Sequence, residues 1–157
     1  MPCKLLNMPD YTNRIRLRKL NNQLQILDSI RSKWIALTPE EWVRQNTIIF
    51  ISDTIEVPFS RIANEVSITY NGLTKRCDSI IYDDFGNPLI IVEYKQTNIS
   101  ITQQIFDQIA TYNMKLNVPY LIVSNGIQHF FCKVDFDNKK YIFAQQWPKY
   151  NELISRS

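Results

Sequence analysis

Three segments rich in branched and aromatic residues follow one another with only short turns between them. No other feature limits the fold as much. Ile62–Tyr70 ends at Asn71-Gly72, Thr74–Tyr82 ends at the turn Asp83–Pro88, and Leu89–Lys95 follows at once. Connections this short join antiparallel neighbours, so the spacing predicts a three-stranded meander. Ile101–Leu116 comes next, with Ile101, Ile105, Ile109 and Tyr112 at helical spacing on one side. Tyr120–Ser124 is then a near-continuous apolar run, the pattern of a strand covered on both faces. A helical crossover predicts that this strand runs parallel to one of the meander strands. Asn125-Gly126 and Asp137-Asn138 mark turns into Gln128–Phe136 and Tyr141–Gln145, a closing hairpin.

Ahead of the meander, Thr38-Pro39-Glu40-Glu41 opens a helix that continues to about Asp53. Thr38 suits the N-cap, Pro39 the first turn, and Glu41 the far corner of a capping box. Trp42, Ile49 and Phe50, with Val43 and Ile48 beside them, give this helix an apolar stripe. Residues 13–19 alternate polar and apolar as a half-buried strand does, Asn21-Asn22 turns them into Gln23–Leu27, and Asp28–Trp34 reads as a short helix or turn. The tail after Trp147 reads as loose. The whole chain, 1–157, is expected to form one domain, with its core over about 35–145, an N-terminal extension over 1–34 and the tail over 147–157.

Bulk properties narrow the class without choosing a function. The apolar fraction is 45%, enough for an ordinary core. The longest apolar runs fall far short of the roughly 18 residues that a membrane span needs, and the N-terminus has no signal-peptide pattern. Cys3, Cys77 and Cys132 are odd in number and widely spaced, so they read as reduced thiols of a cytoplasmic protein. His129 is the only histidine, which argues against a zinc site. The net charge of +3 permits nucleic-acid binding without demanding it.

The stretch that carries chemistry is Lys75-Arg76-Cys77-Asp78 followed by Val92-Glu93-Tyr94-Lys95. Glu93 and Lys95 stand two apart on a strand and so share a face. Asp78 lies on the preceding strand, and the Asp83–Asn87 turn would bring it beside Glu93. Two carboxylates at the end of an apolar strand are costly unless a cation joins them. Mg²⁺, with Mn²⁺ as its substitute, prefers such oxygen ligands and retains waters. A lysine alongside can stabilise charge developing on a phosphorane.

These residues resemble the D…ExK core of the PD-(D/E)XK nucleases. More narrowly, Leu37–Gln45, Leu73–Tyr82, Leu89–Lys95, Phe106–Asn113 and Val118–Gly126 look like the N-terminal nuclease domain of type I restriction enzyme R subunits. The likeness spans roughly residues 35–145. It implies an α/β (α+β) restriction-endonuclease-like fold: an αβββαβ core with a mixed central sheet flanked by helices, extended here by N-terminal and C-terminal hairpins. It implies Asp78, Glu93 and Lys95 as catalytic residues. The metal would be held by Asp78, Glu93 and the Tyr94 carbonyl, with Glu41 as a further ligand. Gln108 and Tyr112 match a QxxxY element, and Gln104 lies one turn earlier on the same face. With Lys75 and Arg76, these residues would contact DNA or support the site. The implied activity is Mg²⁺-dependent DNA endonuclease, with DNA and restriction or repair proteins as partners. A homodimer would supply the two sites that cutting both strands requires. The motif's proline is replaced by Cys77, and no GxxxxGK[ST] loop occurs, so this chain carries neither an ATP site nor a motor.

Plainer readings stand beside each of these. Asp78 and ExK could form an ordinary strand ion pair. Glu41 is explained by capping alone, and Glu40 by solvation. Glu65 is either a surface residue or one that faces the site. Arg14, Arg16 and Arg18 fall on one predicted strand face, which solvent could equally cover, and His129 reads as a strand-surface residue. The alternative to an enzyme is a non-catalytic nuclease-fold module that binds DNA or docks onto a restriction or repair partner. A dimerising structural protein is a third reading.

Overall fold

The computed structural model describes residues 6–156, so Cys3 lies outside the described residues. The chain order is β1 (Leu17–Leu20), β2 (Gln23–Asp28), β3 (Lys33–Ala36), α1 (Pro39–Ile55), β4 (Ile62–Tyr70), β5 (Leu73–Tyr82), β6 (Pro88–Tyr94), α2 (Gln103–Met114), β7 (Tyr120–Ser124), β8 (His129–Asp135), β9 (Lys140–Phe143) and α3 (Tyr150–Ser155). Strands β4 to β9 form one six-stranded sheet in sequence order. Every pairing in it is antiparallel except β6 with β7. The meander, the crossover helix, the parallel strand and the closing hairpin are thus present, in a mixed α+β architecture of the restriction-endonuclease-like kind.

The two faces of this sheet bury separate clusters. Ile90, Val92 and Tyr94 of β6 pack with Val43, Ile48, Ile51 and Ile55 of α1. Their alternate neighbour Ile91 packs with Phe106 and Ala110 of α2, together with Leu121 and Val123 of β7. The side-chain period of two sends alternate residues to opposite faces, so α1 and α2 cover opposite sides. Strand β6 is buried along its whole length except at Pro88.

Four sequence expectations need correction. The N-terminal extension is a three-stranded sheet, β1-β2-β3: a turn does follow Asp28, over 29–32, but Lys33–Ala36 then pairs back onto Gln25–Asp28 as a strand, so the expected helix or turn over Asp28–Trp34 ends two residues early. Helix α1 is buried from Trp42 to Ile49, polar positions included, since it touches β2 as well as β6 and no side of that stretch is left for solvent. Helix α2 buries Phe106, Ala110 and Asn113, at i, i+4 and i+7, and leaves Tyr112 exposed. The tail is not loose: α3 sets Tyr150 and Leu153 into the α1-side cluster, and the Tyr150 hydroxyl donates to the Tyr82 carbonyl at 2.7 Å.

Leu153 is buried to the same degree as the central strand. Leu153→Ala is therefore expected to cost about 2–5 kcal/mol, read from denaturant unfolding. A loss under about 0.5 kcal/mol, the scale of an exposed site, would show that the tail lies outside the cooperative core.

Candidate metal centre

The backbone pairing of β5 with β6 runs from Tyr82/Pro88 to Ser79/Val92. One residue further, at Asp78 and Glu93, the ladder gives way to side chains. Asp78 Oδ2 accepts the Tyr94 N–H at 3.0 Å, while the following amide, Lys95 N–H, donates to the Ser124 carbonyl of β7 at 2.9 Å. The Tyr94 hydroxyl donates to Ser79 Oγ at 2.9 Å. The two strands therefore part at a fixed point, with a carboxylate on each side of the gap.

Glu65 of β4 stands opposite this point, between the pairs Asn64/Ser79 and Val66/Cys77. Its φ is +55°, in the left-handed region that a non-glycine residue adopts at a cost. That turn reverses the facing of β4 without slipping its register. Asn64 bonds Ser79 on the α1 side, whereas Val66 and Cys77 join the α2-side cluster. The Glu65 carboxylate pairs with Arg44 of α1 and with Arg76 Nε at 2.8 Å. Arg44 is only 2% exposed. It also approaches Glu41 at 3.5 Å and Asp78 Oδ1 at 4.0 Å, and its guanidinium lies 5.7 Å from the Tyr94 ring centroid. A guanidinium this deep in the protein persists because acids surround it.

On the other side of the fork, Lys75 Nζ pairs with Glu93, donates to Asn113 Oδ1 at 3.0 Å and lies 5.3 Å from the Tyr112 ring centroid. Glu93 is 8% exposed. Burial first, and the Asp78 carboxylate second, push its carboxyl up to about 7, with Lys75 offsetting part of the rise. Cys77, beside Asp78, is buried, which pushes its thiol up to about 11, so it is not a ready nucleophile.

The structure thus brings together Asp78, Glu93, the Tyr94 amide and Lys75. Lys95 is half-buried just beyond β6, where its charge acts on Glu40 rather than closing onto Glu93. Both first-helix acids lie near the fork: burial first and the Asp78 charge second raise the Glu40 carboxyl, and Glu41 is joined to Asp78 through Arg44. Glu41 turns toward Arg44, and its N–H, not its side chain, completes the cap on Thr38 Oγ1 at 3.1 Å. Gln104, Gln108 and Tyr112 share the exposed face of α2. The N-terminal arginines do not form one strand face. Arg14 precedes β1 and binds Asp53 at 2.6 Å, Arg18 lies over Trp34, and Arg16 is exposed. His129 is held between Ser124 Oγ and the Asn7 carbonyl. Sequence reasoning missed Arg44 and Asn113. Both sit at positions of amphipathic helices where nothing local marks a charged or amide side chain as buried.

A model of the type I restriction enzyme R protein N terminus matches residues 39–148, which is most of the chain. This chain belongs to that family. Among solved structures, it is similar to a fragment of a protein assigned as an HsdR subunit of a type I restriction enzyme from Vibrio vulnificus YJ016. The TM-score is 0.52 and the identity 20%, over 78% of this chain and 25% of that one. At that identity the likeness speaks for the fold. The chain spans about a quarter of that relative's length. No curated protein matches. Among the described residues, no helix of this R-protein N-terminal domain is long and apolar enough to cross a membrane.

The donor set can be tested against the ion that the family resemblance implies. No group of three or more His, Cys, Asp or Glu residues among the described residues is placed to hold a metal ion. Two carboxylates do converge, and one is driven toward its protonated form by its burial and by the other. That set fits Mg²⁺, which commonly takes one or two carboxylates and fills its remaining positions with water and substrate oxygens.

The raised Glu93 carboxyl makes stability depend on pH. A glutamate in the unfolded chain releases its proton near 4.3. Between there and about 7 the folded protein keeps a proton that the unfolded chain has lost, so this residue's contribution to stability falls as pH rises across that window and levels off above it. In metal-free buffer, the melting temperature of Glu93→Gln relative to wild type is therefore expected to increase from pH 5 to pH 7.5. A difference that stays flat over that range would place the titration elsewhere.

Proposed function

We propose that this R-protein N-terminal domain is a Mg²⁺-dependent DNA endonuclease that hydrolyses phosphodiester bonds in cytoplasmic DNA. The observation that carries the reading is the meeting of Asp78 and Glu93 where β5 and β6 part, with Asp78 held by the Tyr94 amide. Asp78 and Glu93 would hold the ion. The Tyr94 carbonyl leaves the strand on the same edge as its N–H and would be a third oxygen. Glu41, or Glu40 beside it, would reach the ion through water. The bound ion would supply Lewis-acid polarisation of a phosphoryl oxygen and a lowered pKa for an attacking water.

The chain's own residues would do the rest. Lys95 lies past the strand end, half-buried and on the Glu40 side, where its ammonium can orient water and offset charge on the phosphorane. Lys75 neutralises Glu93. A cation binding there would free Lys75 for a phosphate oxygen. The exposed Gln104, Gln108 and Tyr112 of α2, and Arg76 of β5, flank the fork and would contact the DNA backbone. The family supports restriction proteins as partners. A second copy of the chain would provide the second cut of a duplex.

Asp78→Asn, Glu93→Gln and Lys95→Met are each expected to lower cleavage of plasmid DNA in Mg²⁺ or Mn²⁺ by about 10²-fold or more, and EDTA is expected to abolish it. Wild-type rates in all three variants would overturn the reading.

One observation favours a second reading, a non-catalytic nuclease-fold module that binds DNA or a restriction partner: Lys75 already occupies Glu93 as a counter-ion. Calorimetry separates the two. Mn²⁺ binding that is lost in Glu93→Gln supports the enzyme. No Mn²⁺ binding together with salt-dependent DNA affinity supports the module.

A further inference from the structure

A chain of buried hydrogen bonds starts in the small N-terminal sheet and ends at the fork. Asp28, at the end of β2, has a fully buried carboxylate. It accepts from the Ile30 and Arg31 amides at 2.9 Å each and from Arg31 Nε at 2.6 Å. Both of its oxygens also accept from Asn64 Nδ2 of β4 at 3.1 Å. Asn64 Oδ1 accepts from Ser79 Oγ of β5 at 2.6 Å, and Ser79 Oγ accepts from the Tyr94 hydroxyl of β6. Tyr94 in turn gives its own amide to Asp78. Asn64, Ser79 and Tyr94 are all buried.

A polar chain of this kind is expensive to bury and adds little stability over apolar side chains of the same shape. What it does provide is geometry, since each member has a short, directed partner. Its two ends identify what is being positioned. One end lies in β1-β2-β3, a sheet that precedes the residues matched by the family model. The other is the residue between Glu93 and Lys95, whose amide holds Asp78 and whose ring lies under Arg44.

We infer that Tyr94 is a positioning residue of the cation site, and that its phenol, acting through Ser79 and Asn64, makes the N-terminal sheet a brace that sets the fork's affinity for a divalent cation. This rests on the metal-site reading above. Removing the hydroxyl leaves the ring packed in its cluster but cuts its link to Ser79, and so the tie between the Tyr94 backbone and the N-terminal sheet. The Tyr94 amide, and Asp78 with it, then lose their fixed distance from Glu93.

The test is Mn²⁺ titration of the full chain by calorimetry, comparing Tyr94→Phe, Asn64→Ala and their double mutant with Ile122→Val. Ile122 lies in the same buried cluster as Tyr94 but outside the hydrogen-bonded chain. Supporting hydrogen bonds around a metal site are commonly worth 10- to 100-fold in affinity. Tyr94→Phe and Asn64→Ala are each expected to weaken Mn²⁺ binding roughly tenfold. The double mutant is expected to be little worse than either single variant, because both break the same chain. Ile122→Val is expected to lower the melting temperature while leaving Mn²⁺ affinity at the wild-type value. Wild-type affinity in Tyr94→Phe, with binding lost in Glu93→Gln, overturns the brace and leaves the metal site standing. Failure of the wild-type protein to bind Mn²⁺ overturns both.

Discussion

The hydrogen bond from the Tyr94 amide to Asp78 sits where the β5–β6 ladder ends, and the site depends on it. Had the ladder continued, Tyr94 would have donated to a backbone carbonyl and the two strands would have stayed about 4.8 Å apart. A side-chain carboxylate takes the carbonyl's place, so the strands part and leave Asp78 and Glu93 facing one another across the gap. The charges around them follow from that opening. An acid withdrawn from water needs a cation or a proton: Arg44 and Arg76 answer the half-buried Glu65, Lys75 answers the buried Glu93, and Glu93 still rises toward its protonated form. The left-handed backbone at Glu65 places one of these acids opposite Asp78 in a strand that otherwise alternates regularly.

Helix α1 carries the second constraint. With β6 on one side and β2 on another, it has no solvent face from Trp42 to Ile49. Arg44, Gln45 and Asn46 are therefore obliged to find partners inside the protein. Gln45 accepts the Ser29 amide and Asn46 donates to the Trp42 carbonyl. Arg44 gathers the acids of α1, β4 and β5. The N-terminal sheet thus does more than cover the helix. It converts polar residues of an amphipathic pattern into a buried electrostatic frame for the fork.

Much of the fold was legible in the sequence. The strands Ile62–Tyr70 and Tyr120–Ser124 have the expected bounds, and β5, β6, β8 and β9 lie within a few residues of theirs. Their alternation and turn residues are local signals. The Asp83–Asn87 turn that sets the β5–β6 register was legible for the same reason, since Asp83 Oδ1 accepts the Phe85 and Asn87 amides within the turn itself. The errors lie where tertiary contact outweighs local pattern. Lys33–Ala36 becomes a strand because β2 offers an edge. The face of α2 shifts to Phe106, Ala110 and Asn113 because that is the side lying on the sheet. The last helix forms because Tyr150 and Leu153 have a cluster to enter.

The sequence by itself determined the strands and helices from α1 to β9, their order, and the pairing of an acid on β5 with an acid on β6. Periodicity and turn chemistry act over a few residues and can be read there. Which charge answers which was decided only by the tertiary structure. Lys75 rather than Lys95 contacts Glu93, Glu41 pairs with Arg44, and Arg44 joins three elements far apart in sequence. Electrostatic partnership is a matter of distance and burial in space. No spacing along the chain encodes these until the sheets have packed on α1.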